Sequence, residues 1–333
     1  MKKQLLQINI IAFILILSWW TLENPLTEQY LGQLKTKTAA SMNKKEPLFQ
    51  KINEKAKMYK ILPQDAKIDR VWKGIPGYNG LAVDVEKSYE KMKEEGKFNE
   101  SKLIYKQLEP KVKLKDLPPT AIYKGHPDKP MVSFLINVAW GNEHLSSMLL
   151  VLKKHNVKAS FFLEGRWVKE NPELAKMIAD AGHEIGNHSY SHPDMKKLSS
   201  HQIKEEIEKT NKVIKATTGK TVKWFAPPSG SYRDEVVHIA ADMGLGTVMW
   251  SVDTIDWQKP SPPFLINRVV SKVHNGAMIL MHPTEPTAKA LNQLIIELKE
   301  KDLQIDTVSQ LLSEERIITS KSAQSDICNG HNE

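Results

Sequence analysis

Apolar and polar positions divide the chain into unlike stretches. A largely apolar run extends from about Leu5 to Trp20 behind Lys2 and Lys3, the pattern of a charged n-region and an apolar h-region. No small-x-small cleavage site follows; Trp19, Trp20 and Glu23 come instead. The pattern predicts an uncleaved signal anchor over residues 1–21, with its N-terminus inside and its tryptophans at the interface. The rest of the chain is then extracytoplasmic and membrane-anchored, or secreted if the segment is cleaved. Residues 22–60, rich in Lys, Gln, Thr and Asn with weak periodicity, predict a stalk. Between Ile68 and Asp84, Val71, Trp72, Ile75, Tyr78, Leu81 and Val83 surround Pro76-Gly77, which predicts short strands about a turn. A charged amphipathic helix with Val85, Tyr89 and Met92 follows, so residues 61–125 read as a small α+β accessory module. Pro118, Pro119 and the run Gly125 to Pro130 have the composition of a linker.

After Pro130 the pattern becomes regular. Met131–Val138 is an apolar strand, and Leu145, Met148, Leu149 and Leu152 repeat at i, i+3, i+4, i+7 on a helix. Val157–Leu163 is a second strand. Asn171-Pro172 opens a helix that Gly182 closes, and His183–Asn187 is a third strand. Ser199 and Gln202 form a capping-box pattern before Ile203, Ile207 and Ile214, with Gly219 at the far end. Further strands are expected at Lys223–Ala226, Thr247–Val252, Ala277–His282 and about Leu303–Asp306. Repeated β–α units over residues 126–315 imply a parallel sheet, with residues 316–333 a polar tail. A closed (β/α) barrel gathers its chemistry at the C-terminal strand ends, where Asn137, His188, Ser229, Asp253 and His282 fall. An open doubly wound sheet is the alternative, although no Gly-rich phosphate loop follows the first strand.

Composition changes this picture little. The 333 residues, 41% hydrophobic, suffice for one domain of about 200 residues and something smaller. Lys and Arg number 47 against 39 Asp and Glu, for a net charge of +8. Such a surface favours anionic wall polymers or lipid head groups, or is simply lysine-rich and solvated. No nucleic-acid-binding motif accompanies it, so nucleic acid is not an expected partner. Cys328 is the single cysteine, which excludes an intramolecular disulfide and a cysteine-based zinc site.

The strongest chemical signal is Asn187-His188-Ser189-Tyr190-Ser191-His192-Pro193. Two histidines four apart, converging from a strand-end loop, have the spacing to chelate one metal, although a catalytic zinc usually takes three protein ligands. This segment, with Trp250-Ser251-Val252-Asp253-Thr254-Ile255-Asp256-Trp257 and Gly276-Ala277-Met278-Ile279-Leu280-Met281-His282, resembles the motifs of the polysaccharide deacetylases with the NodB homology domain, over about Met131–Leu312. The N-terminal module and Val138-Ala139-Trp140-Gly141 resemble a sporulation-associated branch found in spore-forming bacteria. The resemblance implies a distorted (β/α) barrel and metal-dependent removal of acetyl groups from peptidoglycan, chitin-like polymers or xylan. It places His188 and His192 as ligands of a divalent metal, zinc or cobalt, and His282 as general acid. Asp253 or Asp256 would orient that imidazole, with the family pattern favouring Asp253. Trp257 and Leu280 would wall the acetyl-methyl pocket, and the Ser229 N–H would face the oxyanion.

Three positions depart from the pattern. Where the family has two adjacent aspartates this strand ends in Asn137-Val138, so Asn137 stands for the general base and Val138 for the third metal ligand. The arginine that would orient the base is Ala226. Any metal would be weakly held. Glu143, Asn142 and Asp194 are nearby polar residues that could substitute. The sequence therefore leaves an active extracytoplasmic deacetylase with a recruited base, a degenerate relative that binds glycan or serves wall or coat assembly, and a charge-driven binder of anionic surfaces.

Overall fold

The computed structural model describes residues 47–318, together with Glu28 and Gln29. The expected anchor over residues 1–21 lies outside the described residues, as does most of the polar tail; no described helix is long and apolar enough to cross a membrane. The chain forms two compact units. The smaller comprises residues up to 59 with 83–106, and the larger 60–82 with 107 onward. The smaller unit pairs α1 (Pro47–Ala56) with α2 (Val85–Met92). Ile52 and Met92 are fully buried, and Phe49 meets Tyr89 edge-on at 5.6 Å. A helix thus stands where the composition predicted a stalk, because Leu48, Phe49 and Ile52 form a short apolar stripe among lysines and glutamates. The accessory module expected over 61–125 is likewise divided. Its flanks belong to the larger unit, where β1 (Lys67–Asp69), β2 (Lys73–Ile75) and β3 (Ala121–Ile122) extend the main sheet.

That eleven-stranded sheet centres on β4 (Met131–Val138), all of whose residues are buried. Pleating sends Val132, Phe134, Ile136 and Val138 into the cluster beneath the helices, and Met131 and Leu135 into the inner cluster with Phe162, Val248 and Met278. Parallel strands β5 (Ser160–Leu163), β6 (Glu184–Asn187), β7 (Trp224–Phe225) and β8 (Gly246–Val248) continue on one side. β9 (Val252–Asp253) and β10 (Met278–Met281) lie on the other, and β11 (Gln304–Ile305) pairs with the start of β4. β3 joins β8 in parallel, whereas β2 and β1 add antiparallel edges, so the sheet is mixed rather than purely parallel.

The single strand expected over Thr247–Val252 is two. β8 and β9 are consecutive in sequence yet six neighbour steps apart in the strand order. A flat sheet would separate them by about 29 Å at the usual strand spacing. The connector Met249–Ser251 can span at most about 14 Å between Val248 and Val252. The sheet must therefore curl until these strands approach, giving a half-barrel with Trp250 at its seam. Its helices are α3 (Asn142–Lys154), α4 (Gly165–Glu170), α5 (Pro172–Asp180), α6 (Ser200–Thr218), α7 (Asp234–Asp242), α8 (Pro262–Val270), α9 (Glu285–Glu300) and α10 (Val308–Leu312). The capping box forms as its pattern predicts: the Gln202 side chain accepts the Ser199 N–H at 2.9 Å, and Gly219 ends α6 at φ 70°.

Candidate functional site

The C-terminal strand ends converge on one cleft. β6 delivers the histidine loop, whose backbone is unusual: Ser189 and His192 both take left-handed conformations, at φ 62° and 56°. Such backbone persists in non-glycine residues only when other contacts hold it. Here Asn187 accepts the Ser189 N–H at 2.8 Å and donates to Ile207 O and Asn211 Oδ1 on α6. Glu206, also on α6, accepts the N–H groups of Tyr190 and Ser191 and the Ser191 hydroxyl, each at 2.8 Å. The loop brings the rings of His188 and His192 to 5.1 Å between centroids. His188 Nδ1 donates to Ala226 O at 2.7 Å, which leaves Nε2 as the lone-pair nitrogen. Burial, reinforced by His192, pushes the His188 pKa down to about 3, and burial lowers that of His192 as well, so His188 is neutral at pH 7.

His282 follows β10 on the opposite wall. Its Nδ1 donates to Asp256 Oδ1 at 2.8 Å and its backbone N–H to Asp256 Oδ2 at 2.6 Å, while the Thr287 hydroxyl donates to the same Oδ2 at 2.6 Å. Asp256 is fully buried. It sits in a short turn bracketed by left-handed Ile255 (φ 49°) and Lys259 (φ 55°), which aims Asp256 inward and leaves Trp257 exposed. The family pattern favoured Asp253 for this role, and the geometry corrects it. Asp253 Oδ1 accepts the Ile255 N–H at 2.7 Å, closing the turn that presents Asp256.

Asn137, His188, His192, Ser229, Asp253, Trp257, Leu280 and His282 all line one cleft of about 420 Å³, with Ala139, Trp140 and Trp250. Val138 does not. Strand alternation turns it into the apolar cluster under the helices, so it cannot stand for a metal ligand. The neighbours that do face the cleft are Ala139 and Trp140, and the Trp140 indole stacks on the His282 ring at 5.7 Å and 11°. Asn137 is buried, and its Oδ1 meets no hydrogen-bond donor among the described residues. The arginine position, Ala226, is buried with Leu135, Phe162, Val248 and Met278 and offers no side-chain charge.

The three polar residues considered as substitutes are occupied elsewhere. Glu143 is exposed and lies 3.5 Å from His144 on a neighbouring cleft. Asn142 accepts the Trp167 indole N–H and donates to Asn171. Asp194 binds Ser231 and Lys197. Two imidazoles are thus one ligand short of a catalytic zinc set, and no group of three His, Cys, Asp or Glu side chains able to hold a metal occurs among the described residues. The donor set does not fit the metal that the family implies. Glu206, Thr287 and the stacking of Trp140 were not found from sequence. Glu206 and Thr287 act across gaps of 15 and 31 residues, and no local pattern marks such partners.

Comparison with known proteins agrees with this arrangement. The polysaccharide deacetylase family model matches residues 124–248. An uncharacterized protein of Bacillus subtilis strain 168, YlxY, is 55% identical over 318 residues, covering 96% of this chain and 100% of the relative. The peptidoglycan-N-acetylmuramic acid deacetylase PdaA of the same organism is 31% identical over 202 residues, covering 59% of this chain and 77% of the enzyme. A solved structure described as a wild-type CE4 family pseudoenzyme from Bacillus anthracis shares 55% identity at a TM-score of 0.77, covering 82% of this chain and 97% of that one. The half-barrel, the histidine loop and these relatives together establish that the chain belongs to the polysaccharide deacetylase family.

Proposed function

We propose that the cleft binds an acetylated cell-wall glycan and does not turn it over efficiently. The observation that carries this reading is the end of β4: the cleft-facing side chains there are Asn137, Ala139 and Trp140, none able to act as a base and none a carboxylate that would join the two histidines in a metal set. His282, held by Asp256, would protonate a leaving amine, and Ser229 and Leu280 line the same cleft, where they would meet an acetyl group. Without a base, a rate loss of about 10²–10⁴ is expected. The Bacillus anthracis relative is described as a pseudoenzyme, and a mutant of it as having restored enzymatic activity, which supports a fold that keeps the rest of the machinery. Zinc or cobalt would have only His188 and His192 and would be held weakly. Two relatives named for peptidoglycan deacetylation favour that polymer over a chitin-like one. The apolar run from Leu5 to Trp20 supports an extracytoplasmic, membrane-anchored location, and the resemblance of Val138–Gly141 supports a sporulation setting.

A second reading rests on Asp253, the carboxylate among the described residues lining this cleft. If its free Oδ2 serves as base, hydrolysis persists. The experiment is acetate release from acetylated chito-oligomers and peptidoglycan fragments by the purified full chain, with zinc or cobalt added, alongside glycan binding. Binding without release supports the proposal. Release that D253N abolishes establishes the second reading, and absence of binding overturns the first.

A further inference from the structure

The hairpin of β1 and β2 ends in a tip that the cleft at His282 does not use. Asp69 and Lys73 pair across it, and Arg70, Val71 and Trp72 form the turn. Asp69 Oδ1 accepts the N–H groups of Val71 and Trp72, each at 2.7 Å, which fixes the turn. Those two bonds, with Lys67 and Lys124 nearby, hold the Asp69 carboxyl below its ordinary pKa. Val71 is 63% exposed and Ile68 50%. Trp72 is half-buried, with Lys124 Nζ 5.1 Å from its ring and the His274 ring at 6.3 Å. Lys67, Arg70, Lys73 and Lys124 stand on or beside the tip, and none makes an ion pair among the described residues. They outnumber the carboxylates there, Asp69 and Asp234, the latter sharing a small groove with Ile68 and Lys73. His274 precedes β10, whereas Leu280 and His282, at and beyond the other end of that strand, line the cleft. Tip and cleft therefore lie toward opposite ends of β10.

We infer that this tip docks the larger unit on an anionic lipid bilayer, with Val71 and Trp72 at the acyl-chain boundary and the basic side chains among the phosphate headgroups. An indole suits that boundary, and lysine and arginine stems reach from it to the charged layer. The cleft then faces away from the bilayer, toward the space that holds the wall polymer. The contact belongs to the folded unit and depends neither on the glycan-binding reading nor on the apolar run at the N-terminus.

The test uses the full chain on vesicles of phosphatidylcholine, alone or mixed with phosphatidylglycerol. The apolar run would hold the chain on either vesicle, so the readout is local. An environment-sensitive fluorophore is placed on V71C in a C328S background, and the same label on H201C, an exposed site on α6, serves as reference. Spin-labelled lipid should quench the probe at position 71 on anionic vesicles and leave that at position 201 unchanged. Each basic residue near an anionic surface is worth roughly fivefold in affinity, so K67Q/R70Q/K73Q should lower the docked-to-undocked ratio by at least about tenfold. Salt at about 0.5 M should act in the same direction. Quenching at position 71 that is absent on anionic vesicles, equal on neutral ones, or undiminished in the triple variant overturns the inference. A spectral shift with poly(glycerol phosphate) in solution but none on vesicles assigns the tip to an anionic wall polymer and overturns it as well.

Discussion

Asp256 holds His282 at two points, through the ring Nδ1 at 2.8 Å and the backbone N–H at 2.6 Å, and is itself held by Thr287. Removing the buried carboxylate strands all three donors. D256A should therefore cost about 2–4 kcal/mol in urea unfolding. D253A removes one bond from a half-buried turn and should cost about 1 kcal/mol or less. Equal costs would show that Asp256 does not dominate this side of the cleft.

Carboxylates restore hydrolysis only where they reach the cleft. A139D/W140D places both there and removes the indole stacked on His282. Acetate release should rise by at least about tenfold over the native chain with zinc present. N137D/V138D instead buries one carboxylate in the helix-facing cluster and should destabilise the fold by about 3 kcal/mol or more. The reverse ranking in acetate release would mean that β4 changes register in the variants.

Glu206 fixes the histidine loop without touching any ligand. E206A frees two backbone N–H groups and a hydroxyl beneath two left-handed residues. Stability should fall by about 2 kcal/mol, and any zinc affinity of the His188–His192 pair by about tenfold or more. Calorimetric zinc titration of E206A against the native chain checks this; unchanged affinity would mean that the loop holds its shape without Glu206.

His183 lies outside the cleft and gives the fold a pH dependence. Its Nδ1 accepts the Ala159 N–H at 3.2 Å, and burial, with a smaller contribution from Lys158, pushes its pKa down to about 4. The unfolded chain, titrating near 6.5, binds the proton first, so stability is full above that value and falls as pH drops toward 4. The loss from this group should approach about 2 kcal/mol by pH 5 as an upper limit. Unfolding free energies from pH 7 to 4 should show the slope, and H183N, whose carboxamide can still accept the Ala159 N–H, should flatten it. An equally steep slope in H183N would assign the effect to another group.

Much of the larger unit was legible along the chain. The apolar run of β4, the i, i+3, i+4 stripe of α3 and the capping box of α6 express local periodicity and local hydrogen bonding, and these translate directly into elements. The run Thr247–Val252 was misread because periodicity cannot show that the chain leaves one edge of a curled sheet and joins the other. The helix Pro47–Ala56 was missed because its buried stripe is only three residues wide.

The sequence by itself determined the family, most strands and helices of the larger unit, and the histidine pair, since each is written in contiguous residues. The tertiary structure decided which aspartate holds His282, which residues of β4 face the cleft, and what pins the histidine loop. Asp253 and Asp256 differ by three positions and Val138 and Ala139 by one, so their roles depend on the direction in which a turn or a pleat points each side chain. That direction is set by distant partners: Thr287 on α9, Glu206 on α6 and the helix layer packed on Val138.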